Sequence, residues 1–136
     1  EKMFFPHLQP NIVSVFQDLQ SLEIKQFVLS ASEQTLLQKS VLYYQIGAFF
    51  NDICGVDNLN AVGKEVAGKN LINNHSLKPK ETVLVGDTAY DYKVASALGC
   101  ACILVSFGHF KYSRLLFKNC PVVRSVDQLR ACLLSN

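Results

Sequence analysis

Two carboxylates four residues apart, Asp87 and Asp91, follow a glycine that ends a short apolar run, Val83-Leu84-Val85-Gly86. Carboxylate oxygens are hard ligands, and a pair of them at the carboxyl end of a buried strand suits Mg2+. The spacing keeps both side chains near the start of any helix that opens after Gly86. A plainer reading exists. The Asp after the strand would be a helix N-cap, and Asp91 a first-turn acid that complements the helix dipole. Spacing alone leaves the two readings even. Two more polar residues fall at strand ends or helix starts: Ser30, which closes Phe27-Val28-Leu29, and Lys64. A hydroxyl, a cation and a carboxylate pair together would hold a phosphate and its metal. The plain alternatives are a helix cap for Ser30 or Ser32 and a solvated surface charge for Lys64.

These groups meet only if the chain carries them to one end of a sheet. The apolar pattern predicts a helix over 11–22, with Ile12, Val15, Phe16, Leu19 and Leu22 at helical spacing, then a buried strand at Phe27–Leu29. A helix from Glu33 to Tyr44 follows, with Leu37, Val41 and Tyr44 on one face. A short strand is expected over 52–56, a polar loop over 57–60, and a helix over 62–74 without a clean apolar stripe. After a turn at 78–80 come the strand ending at Gly86, a helix with Val94, Ala95, Ala97 and Leu98 facing a core, and Gly99 at its C-terminus. Cys102–Val105 reads as another buried strand. Residues 109–120 read as a loop with a short helix over 113–117. Val122-Val123 reads as an edge strand, and Ser125 with Gln128 as a capping box for a helix over 126–133. Short continuous apolar strands alternating with helices define an α/β fold, with a mostly parallel, Rossmann-like sheet covered on both faces.

The bulk numbers set further bounds. A chain of 136 residues is about one domain. With 49% hydrophobic and 18% charged residues it is globular rather than disordered. A net charge of +2 gives no reason to expect nucleic acid or an anionic membrane as partner. No apolar run reaches the roughly 18–20 residues that span a bilayer, and Glu1–Pro6 shows no signal-peptide core. The five cysteines, Cys54, Cys100, Cys102, Cys120 and Cys132, are odd in number and scattered, which predicts free thiols and a cytoplasmic setting. His7, His75 and His109 are too scattered to suggest a metal cluster.

In this order the motifs resemble the haloacid dehalogenase superfamily of phosphohydrolases, most of all its phosphoglycolate phosphatase-like branch. Phe27-Val28-Leu29-Ser30-Ala31-Ser32 is similar to the second motif of that family. Val62-Gly63-Lys64-Glu65-Val66-Ala67-Gly68-Lys69 is similar to the segment carrying its third-motif lysine, with Lys69 the competing lysine. Val83–Asp91 is similar to its fourth motif, GDxxxD, and Phe5-Pro6-His7 to the lead-in before the second. The likeness covers about 130 residues, and the three motifs in order are far more specific than any one. It implies phosphoaspartyl chemistry on a small phosphorylated metabolite. Ser30 would hydrogen-bond a phosphate oxygen, Lys64 would offset phosphoryl charge, and Asp87 would bind Mg2+ with Asp91 supporting or joining it.

The first motif of the family, DxDx[TV], has no counterpart. The Asp residues are Asp18, Asp52, Asp57, Asp87, Asp91 and Asp127, and no two lie two apart. The resemblance therefore implies a single partial core domain over 1–136, the C-terminal part of a longer protein without the first central strand, the nucleophile, the general acid/base and the cap. That absence predicts two open strand edges, since the missing strand would lie between those ending at Ser30 and Gly86. Direct pairing of the two, a second copy in a homodimer, or an additional segment would complete the sheet. The competing function is a non-catalytic domain that keeps the half-site for binding. A receiver-type signalling domain fits less well, because here the hydroxyl and lysine precede the acidic pair.

Overall fold

The computed structural model describes residues 9, 11–55, 61–107 and 120–134. Phe5-Pro6-His7, the loop over 57–60 and the helix expected over 113–117 lie outside these residues. The chain forms two compact units, Glu1–Ala67 and Gly68–Asn136. The described strands form two parallel sheets, one of order β1-β2 and one of order β3-β4-β5.

In the first unit, α1 (Ile12–Ser21) buries Val15 and Leu19, one helical turn apart on a single face. Leu22, expected on that face, is 60% exposed because it is the C-cap and no longer follows the helical repeat. Phe16 stacks edge-on against Phe50 and tilted against Phe49. β1 (Phe27–Leu29) runs parallel to β2 (Asp52–Cys54), with Phe27 opposite Asp52 and Leu29 opposite Cys54. Below the ladder, Gln26 N–H donates to Asn51 Oδ1 and Asn51 N–H returns to Gln26 O, which extends the pairing by one polar step. α2 (Gln34–Tyr43) buries Leu37 and Val41 and packs on β2. Neither Ser30 nor Ser32 caps α2. Glu33 is the N-cap, its carboxylate accepting from the Thr35 amide. α3 (Ala61–Asn74) continues from this unit into the second. It buries Leu71 but leaves Val66 half exposed, in keeping with its lack of a stripe.

In the second unit, β3 (Val83–Gly86) pairs with β4 (Ala101–Val105), and β4 with β5 (Val122–Val123). α4 (Ala89–Leu98) packs on β3 and β4, and α5 (Val126–Leu134) on β5. The core is Ala95, Cys102, Leu104 and Cys120, with Leu84, Tyr92 and Val122 against it. Gly99 ends α4 in the left-handed region, φ 77°. Gln128 N–H donates to Ser125 Oγ at the start of α5, as the capping pattern predicts. Ala97, expected to face the core, is exposed. β4 is buried along Cys102–Val105, whereas β3 is not the fully buried strand its composition suggests: Val83 and Val85 are 39% and 42% exposed. The two-residue alternation turns Leu84 to the core and these valines to the opposite face. Among the described residues β1 has β2 as its strand neighbour and β3 has β4.

Candidate functional site

The turn after β3 is built around Asp91. Its side chain is 2% exposed, and its Oδ2 accepts from Asp87 N–H at 3.0 Å, Thr88 N–H at 3.1 Å and Thr88 Oγ1 at 3.0 Å. Thr88 is the N-cap of α4, and its Oγ1 accepts from Asp91 N–H at 3.2 Å, so the two residues close a reciprocal capping box. Gly86 is required here because an added Cβ would collide with Asp91 Cβ, Cγ and Oδ2. The carboxylate thus lies against the strand end, where it satisfies donors left over at the helix N-terminus. Asp87 differs. It is half-buried, its amide is held by Asp91, and its own carboxylate accepts no hydrogen bond among the described residues. The spacing that makes the pair look equivalent gives one oriented carboxylate and one that orients it.

Ser30 stands in the first unit at the exit of β1. Its N–H donates to Cys54 O at 3.0 Å, which continues the β1–β2 ladder one residue beyond Leu29. Its Oγ accepts from Ser32 N–H at 3.1 Å, a local hydroxyl turn that fixes the side-chain rotamer. The hydroxyl proton has no acceptor among the described residues and is available to a ligand. Lys64 lies in the first turn of α3 and is half-buried, whereas the competing Lys69 is exposed. Cys54 lies beside Ser30 along the ladder. Burial first, then the charge and hydrogen bond of Asp52, raise its thiol, which keeps it protonated near neutral pH and poorly nucleophilic.

Sequence reasoning missed Thr88, Gln34 and Gly55. Thr88-x-x-Asp91 is a legible capping signature. Gln34 and Gly55 carry no local signal, because they act on each other 21 residues apart.

Among the described residues no group of three or more His, Cys, Asp or Glu side chains is placed to hold a metal. The donor set nonetheless fits Mg2+, which keeps several waters and is commonly bound through one or two carboxylates and the substrate phosphate. The Asp87 carboxylate, which accepts no hydrogen bond among the described residues, is of that ligand type.

The haloacid dehalogenase-like hydrolase family matches residues 5–105, which is more than half of the chain, and the chain belongs to that family. Its fold is similar to that of solved structures across 93–94% of its length. A predicted phosphatase from Clostridium acetobutylicum has a TM-score of 0.84 at 21% identity, covering 93% of this chain and 60% of its own. A predicted phosphoglycolate phosphatase from Haemophilus somnus has 0.76 at 18%, covering 93% and 57%. Protein Tyrosine Kinase A of Mycobacterium tuberculosis has 0.78 at 20%, covering 94% and 61%. No curated protein matches the chain. At these identities the likeness is one of fold, and the chain spans about 60% of the length of the first of these structures. No helix among the described residues is long and apolar enough to cross a membrane.

Proposed function

We propose that this chain is the core part of a Mg2+-dependent phosphohydrolase acting on a small phosphomonoester, and that it carries phosphate- and metal-binding groups but neither the nucleophile nor the general acid/base. The observation that carries this reading is the turn at Gly86. A buried carboxylate holds the Asp87 backbone, and the Asp87 carboxylate itself accepts no hydrogen bond among the described residues. Asp87 would hold the metal, which when bound supplies charge neutralisation for a transferring phosphoryl group. Ser30 donates its hydroxyl proton to a phosphoryl oxygen from a rotamer fixed by Ser32 N–H. Lys64 brings an ammonium to the same group. Asp91 touches no substrate and orients the turn. The phosphoglycolate phosphatase named among the similar folds makes a small phosphorylated acid the first substrate to try.

A second reading, a domain that binds a phosphorylated ligand without hydrolysing it, is favoured by the lack of two Asp residues two apart in this sequence. One assay separates them: phosphomonoester hydrolysis by the longest natural form of the protein and by the 136-residue chain, with and without Mg2+. The enzyme reading expects Mg2+-dependent turnover by the long form, abolished by D87N and reduced by S30A and K64M, and none by the 136-residue chain. A long form that binds phosphate but turns over no phosphomonoester overturns it in favour of the binding domain.

A further inference from the structure

Gln34 opens α2, but its side chain reaches to the end of β2. Its Nε2 donates to Ile53 O at 2.9 Å, and its Oε1 accepts from the Gly55 amide. Along a strand, the backbone groups of successive residues point to alternate edges. Cys54 O is taken by Ser30 N–H on the β1 side, so Ile53 O and Gly55 N–H belong to the other edge. A carboxamide carries a donor and an acceptor like a peptide unit. Gln34 therefore does at Cys54 what one residue of a third parallel strand would do. The end of β2 is held from both edges, by the Ser30 backbone and by the Gln34 side chain. The fit is close enough that Gly55 tolerates no Cβ, which would lie 2.5 Å from Ser32 O and 2.9 Å from Gln34 Cα.

We propose that Gln34 is a positioning residue for the Ser30 hydroxyl: by clamping the start of α2 to Ile53 and Gly55 it fixes the Ser30–Ser32 turn in which that hydroxyl is held. This rests on the reading that Ser30 donates to a phosphoryl oxygen. Ser30 is anchored to Cys54 by its amide, and its Oγ is held by Ser32 N–H. Ser32 is two residues from Gln34 and passes its carbonyl against Gly55. Without the clamp, the Ser30 amide is the hydrogen bond left between the turn and β2 among the described residues.

The test uses the 136-residue chain with amide-proton NMR and titration of inorganic phosphate in the presence of Mg2+. Gln34→Met keeps the side-chain length and removes both bonds. Gln34→Glu keeps the acceptor for Gly55 N–H. Ser30→Ala reports whether the hydroxyl binds phosphate at all. The expected result is that Q34M moves the Ser32 and Gly55 amide resonances and weakens phosphate binding on the order of tenfold. Q34E restores the Gly55 resonance and recovers part of the affinity, a rescue that general loss of packing would not give. If Q34M leaves the Ser32 resonance in place, or leaves the affinity unchanged while S30A lowers it, the positioning role is refuted and the reading of Ser30 stands. If S30A leaves the affinity unchanged, the reading of Ser30 falls and the role proposed for Gln34 falls with it. Should Q34M fail to fold, Q34E decides through the same two resonances.

Discussion

Replacing Asp91 by Ala removes the acceptor of three hydrogen bonds at once. Hydrogen bonds to a charged group contribute about 1.5–3 kcal/mol each. Their simple sum overstates the effect, because the turn is only partly buried and water reaches some of the released donors. Counting about half of it gives an expected loss near 3–4 kcal/mol. That is a large part of the roughly 5–15 kcal/mol by which a domain is stable. Asp91→Asn keeps the shape and one acceptor oxygen but loses the charge, so about half that loss is expected. The assay is urea unfolding of the 136-residue chain in a metal-chelating buffer. Chelation matters because a residue whose main role is to ligate a cation costs nothing when the cation is withheld, whereas a buried acceptor costs the same with or without it. An Ala variant within about 1 kcal/mol of the parent under chelation, close to the ordinary effect of a point mutation, would refute the argument that Asp91 is the anchor of the turn.

The other variants address the same turn and the core beneath it. Gly86→Ala pushes a methyl group into the Asp91 side chain and is expected to lower stability by about 1–3 kcal/mol in the same unfolding assay. In combination with D91A the clash with Asp91 Cγ and Oδ2 disappears while that with its Cβ remains, so the two losses should add to somewhat less than their sum. Thr88→Ala removes the capping hydroxyl and should cost about 1–2 kcal/mol, with the Asp91 amide losing protection from hydrogen exchange. Burial first, then neighbouring Cys120 and Asp91, push the Cys102 thiol from its ordinary 9.0 up to about 12. A raised thiol favours the protonated folded state. Its contribution is therefore complete below pH 9 and is lost between there and about 12 at up to about 1.4 kcal/mol per pH unit. Stability followed against alkaline pH should fall less steeply for Cys102→Ala than for the parent, and equal slopes would contradict the assignment.

Much of the fold was legible because it is written in local periodicity. The strands at Phe27–Leu29 (half-buried rather than the buried strand expected) and Cys102–Val105, the Val15 and Leu19 face of α1 and the Gly99 terminator each depend on neighbours in sequence. What escaped depends on neighbours in space. Val83 and Val85 have the composition of a strand covered on both faces, yet exposure is set by what lies opposite, which the residue type does not record. The caps show the same division. Ser125 falls in the expected pattern, whereas the N-cap of α4 is Thr88 and not Asp87, the Asp after the strand. Before α2 the pattern offers Ser30 and Ser32, yet Ser30 is drawn into the β1–β2 ladder and Glu33 caps the helix. Gln34 had nothing to mark it, since a glutamine at a helix start is ordinary until its partner 21 residues away is known.

The candidate site divides on the same line, and the division bears on how such a site works. Sequence picked out Ser30, Lys64, Asp87 and Asp91 as chemically apt types at suggestive spacings. It gave no way to rank them, because type and spacing are equal for a ligand and for the group that aims it. Burial and hydrogen bonding separate the two. Asp91, the more buried carboxylate, is occupied by three donors, and Asp87, less buried, accepts no hydrogen bond among the described residues. Ser30 has its acceptor side filled by Ser32 and its donor side open. In both units a proposed ligand-binding group lies one hydrogen bond or one turn from a supporting side chain: the Asp87 amide is held by Asp91, and Gln34 is tied to the end of β2 beside the Ser30–Ser32 turn. Phosphoryl transfer gains most from groups fixed before the substrate arrives, since their reorganisation would otherwise add to the barrier. A search for functional residues in this fold should therefore look one hydrogen bond behind each open polar group, where the supporting carboxylate or carboxamide is buried and apparently inert.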